Sequence, residues 1–90
     1  MRKMRVADQI RDRLQAAFQP TALRVVDESH LHEGHAGNPG GGESHFRVAI
    51  TAPAFAEMGR VARHRAVHAA LGPELIGRIH ALGLEIAAPD

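Results

Sequence analysis

Cysteine, tryptophan and tyrosine are all missing from this 90-residue chain. Without cysteine there is no disulfide, no thiolate nucleophile and no all-cysteine metal or cluster site. Aromatic residues are limited to Phe18, Phe46 and Phe55, too few for a platform on which single-stranded bases stack. Excess charge of either sign is also missing. The formal net charge of +1 exerts no strong pull toward nucleic acid or an anionic membrane. Nor is there a long apolar run: the basic start Met1-Arg2-Lys3-Met4-Arg5 leads into an amphipathic segment. Neither a signal peptide nor a membrane span is therefore expected, and the cytoplasm is the expected compartment.

What is there suits one small domain over residues 1–90, with residues 1–4 expected to be disordered. The apolar share of 44% is ordinary for a globular chain with a modest core. Seven histidines stand out. Neutral imidazole is the commonest metal ligand and, with cysteine absent, the softest good one this chain has.

The periodicities give an element order. Val6, Ile10, Leu14 and Phe18 recur every fourth residue and predict a first helix over 5–18, stopped by Pro20. Leu23 to Ser29 is short and β-branched, a predicted strand. His30 to Glu43 carries five glycines and an Asn-Pro, a loop whose length asks for a function. In the segment 45–51, Phe46, Val48 and Ile50 alternate with His45, Arg47 and Thr51, which predicts a half-buried strand closed by Pro53. A second helix is predicted over 59–71, with His64, Val67 and Leu71 sharing a face, so that His64 reads as structural and His68 as a surface residue. Gly72-Pro73 breaks it and starts a short third helix ending near Gly77. Leu82, Leu84 and Ile86 then alternate in a last strand.

This αββααβ order restricts the topology. The first two strands pair antiparallel across the loop. The second and third, joined by two helices, run parallel through a right-handed crossover. The expected fold is α+β, a mixed three-stranded sheet with helices on one face, the arrangement of the type II KH-like fold.

Three segments carry a family resemblance: Asp27-Glu28-Ser29-His30 through Gly34-His35 to Gly42-Glu43-Ser44-His45-Phe46-Arg47-Val48; Arg63-His64-Arg65 with Val67 and Leu71; and Glu74-Leu75 with Ile79-His80-Ala81-Leu82. In this order and spacing the chain resembles the BolA family. It departs in the turn Phe55-Ala56-Glu57-Met58-Gly59, where family members often carry a glycine closer to the phenylalanine. It also ends at Asp90, where many relatives continue, so a C-terminal helix is expected to be absent.

The resemblance implies a partner, a monothiol glutaredoxin with glutathione, and a [2Fe–2S] cluster shared with it. Such a cluster needs four ligands, and histidine can replace cysteine on one iron. The ligand positions implied by the resemblance map to His80 and to His35, with His30, His32 and His45 as alternatives near the loop. Spacing alone leaves His80 open to another reading. It shares parity with Leu82, Leu84 and Ile86, and a buried, hydrogen-bonded core histidine would look the same. His30-x-His32-x-x-His35 also spells a three-histidine zinc site, but a glycine-rich loop offers no rigid support to orient the rings.

Arg60, Arg63 and Arg65 form a basic cluster on the second helix, able to touch phosphates or an anionic partner. This keeps a nucleic-acid-binding regulator, with DNA as partner, as the alternative. Gly34-His35-Ala36-Gly37 has the Gly-x-x-Gly spelling of a KH backbone clamp but lies between strands, not between helices. No nucleophile–base pair, carboxylate pair or phosphate loop in a strand–helix context is present, so an enzyme is not expected. Alone, the chain is expected as a monomer or weak homodimer.

Overall fold

A central strand, hydrogen-bonded on both sides, organises the molecule. The structure, a computed structural model, describes residues 5–28 and 45–89. The elements are α1 (Val6–Phe18), β1 (Ala22–Asp27), β2 (His45–Thr51), a 3₁₀ turn (Pro53–Phe55), α2 (Arg60–Leu71), α3 (Pro73–Gly77) and β3 (Ala81–Ala87). The strand order is β1-β2-β3, with β1 antiparallel and β3 parallel to β2. The expected αββααβ order and mixed sheet are therefore present, and they are compatible with a type II KH-like arrangement. Strand β1 begins one residue earlier than the β-branched run indicated, because Ala22 pairs with Thr51. The loop predicted over 30–43 and the N-terminal residues 1–4 lie outside the described residues.

Register turns the period-two pattern into one apolar face. Leu23 opposes Ile50 and Val25 opposes Val48 across β1–β2. Phe46, Val48 and Ile50 pair with Leu82, Leu84 and Ile86 across β2–β3. The helices cover this face. Val6, Ile10 and Leu14 from α1, Val67 and Leu71 from α2, and Leu75 from α3 join Phe46, Val48, Ile50 and Phe55 in one buried cluster. Phe55 is fully buried, and its ring lies 4.8 Å from that of Phe18, within the range where tilted aromatic pairs add to simple burial.

The helix ends follow from local chemistry. Helix α1 stops at Gln19, whose left-handed backbone (φ 46°) lets its N–H bond the Gln15 carbonyl ahead of Pro20. Gly72 separates α2 from α3 at φ 85°, ψ 152°, a conformation that glycine adopts without strain. Arg13 of α1 donates a hydrogen bond to the Leu71 carbonyl, which satisfies one of the terminal acceptors of α2. Among the described residues no helix is long and apolar enough to cross a membrane.

Candidate functional site

Parallel pairing places the starts of β2 and β3 side by side, with His45 opposite Ala81. The residue that enters β3 thus falls next to the residue that opens β2. These are His80 and His45, and their rings lie 4.9 Å apart with planes inclined at 36°. The far side of His45 is tied to β1, since its carbonyl accepts a hydrogen bond from the Glu28 N–H at 2.8 Å. Glu28 and His45 therefore meet at one corner of the sheet, and that corner carries His80.

Parity put His80 on the helix-facing side. The structure overturns the buried-core reading: His80 is exposed and His45 half-buried. The reason is that β3 begins only at Ala81. Upstream, Arg78 and Ile79 donate their N–H groups to Leu75 and Ile76, so the chain is still unwinding from α3 at His80 and has not entered the pleat. An exposed imidazole on a well-anchored strand entry, with a second imidazole beside it, can donate nitrogen to a borderline metal. Among the described residues, no group of three or more histidine, cysteine, aspartate or glutamate side chains is placed to hold a metal ion. Any metal held through His80 therefore needs further ligands from elsewhere. His30, His32 and His35 lie outside the described residues.

The basic helix starts at the other end of the sheet. Arg60 and Arg65 are exposed. Arg63 is not a free cation on that face. Its Nε donates to the carbonyls of Phe55 (3.1 Å) and Met58 (3.0 Å), and its Nη1 to Ile86 (3.3 Å). It thereby joins the 3₁₀ turn, the start of α2 and the outer edge of β3. A concavity of about 660 Å³ opens beside it, between the start of α2 and the C-terminal ends of β2 and β3. His64 sits at its margin, half-buried, and its Nδ1 donates to the Arg60 carbonyl at 3.0 Å. Val67 and Leu71 are buried as their shared face requires.

Sequence reasoning did not anticipate the His45–His80 contact or the Arg63 tie. A signal for the first was present. Setting the first inward residues, Phe46 and Leu82, opposite one another in a parallel pair puts His45 opposite Ala81, one residue from His80. No comparable signal marks Arg63, which ties the nearby Phe55 and Met58 carbonyls to that of Ile86 in β3.

Comparison with known proteins gives the family. The chain matches the BolA family, described as BolA-like protein, over residues 14–90. It is 52% identical over 87 residues to a Sinorhizobium protein named "Uncharacterized protein in cobS 5'region", covering 96% of this chain and 94% of that protein. It is 41% identical over 81 residues to the DNA-binding transcriptional regulator BolA of Escherichia coli, covering 90% of this chain and 73% of that protein. Among solved structures it is similar to the BolA domain of SufE1 from Arabidopsis thaliana. That match has a TM-score of 0.80 at 33% identity, covering 98% of this chain and 96% of that one.

Proposed function

The chain belongs to the BolA-like protein family, and from that premise we propose that it is a non-catalytic adaptor. It shares a [2Fe–2S] cluster with a monothiol glutaredoxin and glutathione, in cluster delivery or in iron and stress regulation. The observation that carries this reading is the exposed His80, in ring contact with His45 at the corner where Glu28 and His45 are hydrogen-bonded.

The donor set fits. A cluster of this type takes four ligands, and imidazole nitrogen serves on one iron while thiolates serve the other. This chain has imidazoles and no thiol, so the thiolates come from the partner and its glutathione. His80 is the ligand held on the rigid scaffold. The second is His35, with His30, His32 or His45 able to take its place; His45 is the one already beside His80. The cluster's potential and lability then follow from ligand type, hydrogen bonding and exposure.

The test is a mixing experiment with a cluster-loaded monothiol glutaredoxin, followed by visible absorption and circular dichroism. A stable heterodimer with a new spectrum, lost in His80→Ala while the fold persists, is the expected result. An unchanged spectrum in the variant would remove His80 as a ligand. Binding without any spectral change would leave a scaffold with no cluster chemistry.

A second reading rests on the name of the Escherichia coli relative and on the exposed Arg60 and Arg65: a DNA-binding regulator that contacts phosphates through α2. An Arg60→Ala/Arg65→Ala variant then binds duplex DNA more weakly, with a salt slope reduced by about two. Because neither Arg60 nor Arg65 is among the cluster-ligand positions, each variant tests its own reading.

A further inference from the structure

The geometry points to a second metal site, formed by His64 and His68 on α2, that takes a divalent transition-metal ion with Cu²⁺ held more tightly than Zn²⁺. It does not rest on the cluster reading, because none of the residues discussed there as cluster ligands takes part.

The spacing is the first observation. Residues at i and i+4 of a helix lie on one face with Cβ atoms about 5–6 Å apart. That is the spacing by which the two histidines of a helical His-Glu-x-x-His motif clasp one zinc ion. Here the intervening residues are Arg65, Ala66 and Val67. With Arg65 where that motif has glutamate, there is no general base, so the site binds metal without hydrolytic chemistry. Helix α2 holds the pair rigidly, since Val67 and Leu71 on its inner face are fully buried.

The second observation concerns the rings. His64 Nδ1 lies 3.0 Å from the Arg60 carbonyl. A carbonyl only accepts, so Nδ1 carries the hydrogen and Nε2 of the neutral ring presents the lone pair. A backbone carbonyl on the non-ligating nitrogen is the usual support of a metal-bound imidazole. Both rings border the same open concavity of about 430 Å³, walled by Val61 and the two flanking arginines Arg60 and Arg65. Val61 is 64% exposed, and no described segment covers it.

Two protein ligands leave the rest of the coordination sphere to water or added anions. The flanking arginines repel a bare cation, so the site is open and of modest affinity. The preference for Cu²⁺ follows from the general order of divalent affinities at nitrogen sites.

The test is a titration of the full chain with ZnCl₂, following the assigned imidazole NMR signals of all seven histidines, and then with substoichiometric CuCl₂ to record broadening. The His64 and His68 rings should shift with one shared midpoint. In His64→Gln the remaining His68 response should weaken by about tenfold or more, and the reverse should hold in His68→Gln. Both variants replace ring positions outside the buried core, and far-UV circular dichroism confirms that they remain folded. Separate midpoints for the two rings, or an unchanged response of one ring after loss of the other, overturns the site. So does a response confined to the histidines near the segment 29–44. Repeating the titration in His80→Ala, which should change nothing at α2, keeps this outcome separate from that of the cluster experiment.

Discussion

Removing the Arg63 side chain should destabilise the domain far more than removing either neighbouring arginine. Its guanidinium serves three carbonyls, those of Phe55, Met58 and Ile86. The Ala87 carbonyl is taken up by the Ala52 N–H, and carbonyls alternate along a strand. The Ile86 carbonyl therefore points off the outer edge of β3, where Arg63 covers it. Hydrogen bonds to a charged donor contribute about 1.5–3 kcal/mol when buried. Arg63 is half-buried and water can replace part of what is lost, so Arg63→Ala should cost about 2 kcal/mol in total. A chain of this length has roughly 5–13 kcal/mol of stability, so the change is large. It corresponds to roughly 8–16 °C in melting temperature. The absence of tryptophan and tyrosine makes far-UV circular dichroism the natural probe, in urea and thermal unfolding. Arg60→Ala and Arg65→Ala, at exposed positions, should stay within about 0.5 kcal/mol of the parent. If Arg63→Ala also stays within that margin, the three hydrogen bonds do not hold the start of α2 to the sheet. A weakening of DNA binding by Arg63→Ala would also have to be read against this loss of stability.

Two further outcomes test the packing. Gly72→Ala should cost about 1–3 kcal/mol, because φ is 85° there and the new Cβ would lie 3.2 Å from Arg13 Nη1; a cost near zero in urea unfolding would show that the α2–α3 turn can rearrange freely. Phe55→Ala should cost about 3–5 kcal/mol, since the ring is fully buried and packs on Phe18, whereas Phe55→Leu should lose less than half of that in the same assay.

How much of this was legible without coordinates can be seen residue by residue. The stripe Val6, Ile10, Leu14 located α1, because a helix packed on a core must repeat its apolar residues near every fourth position. The alternation of Phe46, Val48 and Ile50 located β2 and its buried face, because successive side chains of a strand point to opposite sides. Pro20 and Gly72-Pro73 located the breaks. For His80, parity along 80–86 left a buried-core reading open beside the ligand reading, and the start of β3 at Ala81 leaves its side chain exposed.

Local patterns record whether each residue faces the core, and the sequence by itself therefore determined the element order, the buried faces of α1, α2 and the strands, and the mixed sheet they form. It also supplied the family and the histidines worth examining. Tertiary structure decided what those side chains meet. His45 and His80 touch because the parallel register sets His45 opposite Ala81, the residue that follows His80. Arg63 became a structural tie because the 3₁₀ turn, α2 and the edge of β3 converge on it. Such meetings depend on register and crossover between distant segments, and no local period of the chain encodes them.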